Sequence, residues 1–278
     1  MARANPSMVA PMNDTSQPDP LEPIRREIDR VDDSMLALAA ERLRLIDQMA
    51  GAKPVSGLPI RPGREIAMLR RLIASASAPL ERELVVELWR ALIAAGLRRQ
   101  RVIDVFVGGG RGDPSHLYDV ARQHFGARAR IQHLAEPQAA MLRAADEPNK
   151  SVAVTPWPAA PGGAWWPALS ERRFHGLHLI AGLPLVGPAN DFPEACVFAA
   201  ARPEPAGGDV SMLLAFDPHH RLQRALQDAG LDGREIARAE PRVLVRVEGF
   251  VALDDDRAAA LTNKGLDNVR VLGSYARI

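Results

Sequence analysis

Two cations in the first part of the chain lie where an amphipathic helix would carry apolar side chains. At 100° per residue, Lys53 projects within roughly 20° of Arg42. Val31, Met35 and Ile46 fall close to the same line. Burying such cations without a counter-charge costs several kcal/mol each. The spacing therefore predicts a site in which an anion meets Arg42 and Lys53.

Further polar side chains are predicted to point toward the same core. Arg25 projects about 100° away from the line of Arg42, so it would reach a neighbour if two copies of the helix packed side by side. Glu65 shares a face with Leu72 in a second helix, and Gln100 closes a third. Three cations, one carboxylate and one amide, without a nucleophile or a catalytic histidine, suit a small dianion whose reaction needs only positioning and electrostatics.

Each of these residues also has a purely structural explanation. Arg42 could pair with Glu41 or Asp47 at the helix surface. Lys53 could lie beyond the end of its helix, and Glu65 could complement a helix dipole. Only the set as a whole favours a binding site.

Helices must position these side chains. Apolar residues recur at helical spacing from position 21 to about 50, then the stretch GAKPVSGLPIRPG interrupts them. A second helix is expected over about 64–76 and a third over about 79–101. Residues 1–19 are rich in Pro, Asn, Asp and Ser, which is typical of a disordered tail.

Beyond residue 101 the pattern changes to short β-rich segments. VIDVFVGG, ARIQHL, SVAVTPW and GLHLIAGLPL are expected strands, and the helical stretches between the first of them favour a parallel α/β layer. After a Pro- and Gly-rich linker, ARPEPAGGD, the order of elements predicts a small βαββαβ, ferredoxin-like domain. Trp165 and Trp166 are expected to pack in a core or between domains.

Composition excludes several classes of function. The 35 basic and 34 acidic residues leave no basic field, and 5% aromatic residues provide no stacking platform, so nucleic acid is not an expected partner. No apolar run approaches the roughly 18 residues that span a bilayer, and no export signal begins the chain. The one cysteine, Cys196, excludes an internal disulfide. We therefore expect a cytoplasmic protein that is not bound to membranes.

The N-terminal pattern resembles a known enzyme family. IRREIDRVDDSMLALAAERLRLIDQMAGAK, then IRPGRE, then Gln100, is similar to the all-helical (AroQ) class of chorismate mutase over residues 21–101. The resemblance implies an intertwined homodimer of three-helix chains that converts chorismate to prephenate by an intramolecular Claisen rearrangement, without a cofactor. It further implies that Arg42, together with Arg25 from the partner chain, binds the substrate carboxylates.

The resemblance also implies roles for the remaining site residues. Lys53 and Gln100 would donate hydrogen bonds to the ether oxygen, where negative charge develops as the C–O bond breaks. Glu65 would orient the ring hydroxyl, and Arg64 would support the network around the carboxylates. Such a reaction needs a compact substrate conformer and well-placed donors rather than covalent catalysis.

This chain departs from the family at two positions of the site. In the family an aspartate follows the first Arg of this motif, whereas in this chain Pro62 follows Arg61. The loop before it is also one residue shorter in this chain than in the family. The family's serine one turn before the glutamine is Gly96. These departures predict fewer contacts to the substrate and reduced activity.

The rest of the chain resembles a degenerate bifunctional chorismate mutase/prephenate dehydratase with an ACT-like C-terminus. VFVGGG, DPSHLYDVARQHFG and SVAVTPWP are similar to parts of the dehydratase, and VRVEGF and VRVLGSYARI to its ACT domain. Ala195, Cys196 and Val197 replace the catalytic Thr-Arg-Phe, so no dehydratase activity is expected. The implied divisions are a tail (1–19), a mutase domain (20–101), a truncated dehydratase-like α/β lobe (102–205) and an ACT-like domain (206–278).

The sequence gives little support for a metal ion or an amino acid as a ligand. His219 and His220 have no third residue at metal-ligand spacing, so no metal is expected. The sequence around 219–222 and 239–241 also departs from the ACT ligand motifs, which argues against phenylalanine binding. Two hypotheses remain: a chorismate mutase, or a non-catalytic, amino-acid-sensing regulatory protein of aromatic biosynthesis.

Overall fold

A computed structural model describes residues 19–52, 57–109, 113–158, 164–187 and 192–278. The predicted tail, except for its last residue, and Lys53 lie outside these residues. The chain divides into two compact units, 1–45 and 46–278. The domain boundaries expected near residues 101 and 205 stay predictions.

Three helices begin the described chain, as predicted. They are α1 (Glu22–Ala52), α2 (Pro62–Ser75) and α3 (Arg82–Gln100). Pro62 occupies the first turn of α2, where its missing N–H costs nothing because the first N–H groups of a helix have no intrahelical partner. The observed bounds differ from the predicted ones by one to three residues at each of the six helix ends.

Strands and short helices alternate after α3. They are β1 (Asp104–Gly108), α4 (Pro114–Phe125), β2 (Arg130–Leu134), α5 (Pro137–Asp146), β3 (Ser151–Pro156), β4 (His178–Leu183), β5 (Ala195–Ala199), β6 (Asp209–Phe216), α6 (Leu222–Asp228), β7 (Gly233–Ala239), β8 (Arg242–Glu248), α7 (Asp256–Ala260) and β9 (Asp267–Ala276). Two 3₁₀ turns, Trp166–Ser170 and Arg172–Phe174, precede β4.

All nine described strands form one sheet, in the order β2-β1-β3-β5-β4-β9-β6-β8-β7. β1 pairs in parallel with β2 and β3, but β5 lies between β3 and β4 and is antiparallel to both. The four strands predicted for this layer therefore run in one direction, as expected, but β5 was not predicted and runs against them. The sheet is mixed.

The last part of the chain has the predicted βαββαβ order. Its four strands pair as β9-β6-β8-β7, and all three of these pairings are antiparallel. The two parts of the sheet meet where β4 runs parallel to β9, with Leu179 opposite Gly273. A Cβ on residue 273 would overlap the backbone of Leu179, so only glycine permits this approach.

Apolar side chains fill three cores in the second unit. One core lies between the sheet and the helices α2, α3 and α4, with Leu69, Ile93 and Val107 among its members. The opposite face is covered by α5 and by Trp165 and Trp166, which are 6% and 1% exposed, so both tryptophans pack in a core as predicted. A third core lies under α6 and α7. No helix in the described ranges is long and apolar enough to cross a membrane.

Candidate active site

The helix α1 carries two of the predicted substrate-binding arginines. Arg25 is exposed and forms ion pairs with Asp19 and with Glu22, the latter at 4.0 Å. Arg42 is half-buried, and burial lowers the pKa of its guanidinium. Seventeen residues separate the two, which is about 25 Å along a helix. One copy of α1 therefore cannot present both guanidinium groups to the same small anion.

The predicted ether-oxygen donors are described only in part. Lys53 falls within residues 53–56, which the described ranges do not include. Gln100 is the last residue of α3 and is half-buried. Next to it, Arg99 pairs with Asp47 at 2.6 Å between Nε and Oδ1, which joins the end of α3 to the last turns of α1.

Glu65 makes a buried ion pair that the sequence interpretation missed. Its Oε2 lies 2.5 Å from Nη1 of Arg90, and the two side chains are 14% and 5% exposed. Arg90 also donates to the backbone carbonyl of His124, at 3.0 Å from Nε and 2.6 Å from Nη2. Like Arg42, Arg90 is a cation within an apolar face, between Val86 and Ile93, so the same signal could have identified it.

The cavity beside this ion pair is small. It has a volume of about 20 Å³ and is lined by α2, α3, α4, β4, β9 and the linker before β6. That is room for about one water molecule. A substrate with two carboxylates cannot reach Glu65 through this space.

The start of α2 is packed against the linker between β5 and β6. Arg61 donates to Oε1 of Glu204 from Nε at 3.0 Å and from Nη2 at 2.8 Å. A Cβ on Gly63 would lie 2.7 to 2.8 Å from Glu204 and Pro205, so the linker fits only against a glycine. Arg64, one residue on, is exposed. Gly63, the second residue after Arg61, thus has a packing role.

Gly96 also has a packing role. It is buried on α3, and a Cβ there would lie 2.6 Å from Cδ1 of Ile46. The serine found in the family at this position would need Ile46 to move. The structure thus brings Glu65 and Gln100 into one unit with Gly96, while the arrangement of Arg25, Arg42 and Lys53 around them stays a prediction.

The three positions that replace the dehydratase motif lie on β5. Ala195, Cys196 and Val197 are fully buried, between β3 and β4. Burial raises the pKa of the Cys196 thiol well above its usual range, so it is protonated at neutral pH.

No cluster of three or more metal-ligating side chains occurs within the described part of the chain. His220, in the left-handed region at φ 53°, is exposed and lies 3.6 Å from Glu240.

Comparison with known proteins assigns the helical segment. Residues 24–101 match the family model of chorismate mutase type II, and this range coincides with α1, α2 and α3. The segment is thus a domain of an isomerase family. The chain carries a chorismate mutase type II domain, followed by a mixed-sheet region.

Several solved structures resemble the chain at low identity. A protein described as GqqA, a novel type of quorum quenching acylase, is 14% identical with a TM-score of 0.43, covering 63% of this chain and 95% of its own. Prephenate dehydratase from Streptococcus mutans is 15% identical with a TM-score of 0.41, covering 63% and 98%. Prephenate dehydratase from Staphylococcus aureus subsp. aureus Mu50 is 13% identical with a TM-score of 0.40, covering 62% and 100%. No curated protein sequence matches the chain significantly.

Proposed function

We propose that the protein is a homodimeric chorismate mutase of aromatic amino acid biosynthesis that lacks prephenate dehydratase activity. The observation that carries this proposal is the family match over residues 24–101, which spans all three helices. The reaction is an intramolecular rearrangement, so the protein needs to hold one conformer and stabilise the charge of the transition state.

The proposed roles follow the resemblance. Arg42 and the second copy's Arg25 bind the two carboxylates, while Arg64 supports them. Lys53 and Gln100 donate to the ether oxygen, and Glu65 accepts from the ring hydroxyl. Donors aimed at the developing negative charge are the largest expected contribution to the rate.

Two properties of α1 support a dimer. The helix has no buried residue, and Ile28, Val31 and Met35 are 54%, 46% and 53% exposed. An apolar stripe of this length on a solvent-exposed helix favours association. Separately, the distance of about 25 Å between Arg25 and Arg42 supports donation of Arg25 to the second copy's site.

The absence of dehydratase activity is supported by β5. A side chain that acts on a substrate must reach it, and the side chains of Ala195, Cys196 and Val197 are buried in the cores on the two faces of the sheet. None of the three offers the hydroxyl and guanidinium groups of the Thr-Arg-Phe motif.

The second candidate is a non-catalytic regulatory protein that senses an amino acid through an ACT-like C-terminal domain. The observation in its favour concerns two glycines. Gly96, at a position of the family's site, packs against Ile46, and Gly63, beside that site, packs against Glu204. Under this hypothesis the mutase fold is kept as a scaffold.

Loss of chorismate absorbance with purified protein distinguishes the two. We expect turnover at millimolar chorismate, formation of prephenate and no phenylpyruvate. Lys53→Ala should lower kcat/KM on the order of 10²- to 10³-fold without changing the circular dichroism spectrum. Arg71→Gln, an exposed cation on α2, is the matched control and should leave the rate unchanged. A wild-type protein without turnover would exclude the mutase, and an active Lys53→Ala variant would exclude the assigned donor.

A further inference from the structure

An open groove of about 900 Å³ lies between the segment of the two 3₁₀ turns and the C-terminal βαββαβ region. Its volume is in the range of sites that bind small molecules. Three guanidinium groups line it, those of Arg172, Arg242 and Arg270. All of its described lining residues belong to the second compact unit. Apolar side chains form part of its wall: Leu214, Phe216, Leu253, Val269 and Val271.

Arg270, on β9, is a half-buried cation without a carboxylate partner among the described residues. Its Nη1 donates to the carbonyl of Leu169 at 2.5 Å. Its Nη2 donates to the carbonyls of Phe174 at 2.9 Å, His175 at 3.3 Å and Leu177 at 2.7 Å. A carbonyl accepts a hydrogen bond but carries no net charge, so the charge of Arg270 is not neutralised. Burial lowers the pKa of its guanidinium to about 10, which leaves it charged at pH 7.

Arg242, at the start of β8, is half-buried and keeps two donor groups available. Its Nε donates to Oγ of Ser170 at 3.1 Å, and its Cζ lies 5.0 Å from the ring centroid of Phe216. These two contacts hold the guanidinium plane in place. Nη1 and Nη2 have no hydrogen-bond partner in the part of the chain that the structure describes. Because Arg242 lines an open groove, an anion can approach these nitrogens from solvent.

The acidic residues of the groove do not balance its cations. Glu171 pairs with Arg173 at 2.7 Å, and Asp255 pairs with Arg257 at 2.8 Å. Neither of these two arginines is among the described lining residues. Among those lining residues, Asp254 is thus the one carboxylate left against three guanidinium groups.

The pKa of His178 is consistent with a positive potential in the groove. His178 is one of the lining residues, and burial together with Arg270 and Arg202 lowers the pKa of its imidazole to about 4. A second positive charge is therefore unfavourable at this position. The excess of cations suits a ligand with two negative charges better than a ligand with one.

We propose that this groove binds a small phosphate monoester, with the phosphate dianion among Arg172, Arg242 and Arg270 and the organic part against the apolar wall. A phosphate group offers three acceptor oxygens and about −1.5 to −2 charge at pH 7, and guanidinium groups bind such oxygens in pairs. A carboxylate offers two oxygens and one charge. The inference does not depend on the proposed mutase activity, because none of these residues belongs to the predicted mutase site.

Isothermal titration calorimetry of the full-length protein in phosphate-free buffer tests the proposal. The probes are inorganic phosphate, phenyl phosphate and phenylacetate, which carries a phenyl ring but one charge. We expect phenyl phosphate to bind at one site per chain. Its Kd should be at least about tenfold lower than that of either other probe, since only phenyl phosphate combines a dianion with an apolar group.

Variants of the groove should weaken this binding. Arg172→Gln and Arg242→Gln should each raise the Kd of phenyl phosphate about tenfold or more, because each removes a charge-assisted contact. Arg172 is exposed and has no ion pair among the described residues, so its replacement should leave the circular dichroism spectrum and the melting temperature unchanged. Arg224→Gln removes an exposed cation of α6 outside the groove and should bind as the wild type does.

Four results would overturn the inference. The first is no binding of phenyl phosphate at millimolar concentration. The second is one Kd shared by the wild type, Arg172→Gln and Arg242→Gln, which would place the phosphate elsewhere. Equal affinity for phenylacetate would indicate a carboxylate site, and equal affinity for inorganic phosphate would mean that the apolar wall contributes nothing. Either of these last two results contradicts a phosphate monoester as the ligand.

Discussion

The guanidinium of Arg70, on α2, donates a hydrogen bond of 2.7 Å to the backbone carbonyl of Arg277, which follows the last strand. The same group donates to the carbonyl of Ala206 at 2.8 Å and to that of Gly207 in the linker before β6. One side chain of the helical segment thus joins two distant parts of the chain. Because a carbonyl that loses a charged donor inside a folded protein is costly to leave unpaired, this contact should matter for stability.

Replacing Arg70 tests that expectation. Arg70→Gln should lower the free energy of unfolding by about 2–4 kcal/mol, since a glutamine cannot span three carbonyls. Urea denaturation followed by circular dichroism measures the change. Arg71→Gln alters a neighbouring exposed arginine on the same helix and should shift the midpoint by less than about 0.5 kcal/mol. Equal midpoints for the two variants would show that the Arg70 contacts contribute little.

Restoring the family's serine at position 96 should be destabilising here. Gly96→Ser places a Cβ close to Cδ1 of Ile46. We therefore expect the free energy of unfolding to decrease by about 1–3 kcal/mol. Ile46→Val removes that methyl group, so the double variant should recover most of the loss. A double-mutant cycle by chemical denaturation gives the coupling between the two positions. Additive effects would mean that Ile46 is not the obstacle.

A charge on the apolar stripe of α1 should weaken the proposed dimer. Val31→Glu would place a carboxylate in an apolar interface, and we expect the dissociation constant to rise at least about a hundredfold. Sedimentation velocity over a range of concentrations measures it. Gln48→Glu, at an exposed polar position of α1, should leave association unchanged. If both variants remain dimeric, the interface lies elsewhere.

The folded protein should lose stability as the pH is lowered, because His178 is held neutral in the folded state. Burial, Arg270 and Arg202 lower the pKa of His178 from 6.5 to about 4, and its Nδ1 has no hydrogen-bond partner among the described residues. Between these values the unfolded chain binds a proton that the folded chain does not, so the folded state loses stability as pH falls from 6.5 to about 4. The loss is at most about 3 kcal/mol.

The His178→Gln variant should show a flatter dependence of melting temperature on pH across this window, whereas His175→Gln, at an exposed position, should follow the wild-type curve. Identical curves for wild type and His178→Gln would exclude His178 as the source. Carboxylates with lowered pKa, such as Asp217 and Asp255, should contribute acid sensitivity in all variants.

The elements with strong local signals could be predicted from the sequence. Gly and Pro mark the ends of α1 and the start of α2, and the βαββαβ order follows from alternating patterns between turn residues. β5 was missed because its five residues are buried on both faces and show no alternation. Without β5, the reversal of direction within the sheet could not be foreseen.

The part of the candidate site that the sequence suggests comes from the geometry of one helix, and it stays a prediction. The line through Arg42 and Lys53 needs no knowledge of tertiary structure. The pairing of Glu65 with Arg90, by contrast, depends on how α2 and α3 pack, and the anchor at His124 depends on α4. Contacts such as that of Arg70 with Arg277 join residues 207 positions apart, which no local pattern encodes.

The contact between Leu179 and Gly273 determines how the two parts of the sheet can move relative to each other. Since β4 and β9 pair there, the C-terminal βαββαβ region shares a continuous hydrogen-bonded surface with the preceding strands. A hinge motion between β4 and β9 would have to break that pairing. The C-terminal βαββαβ region and the preceding strands are therefore expected to move together rather than about a hinge between β4 and β9.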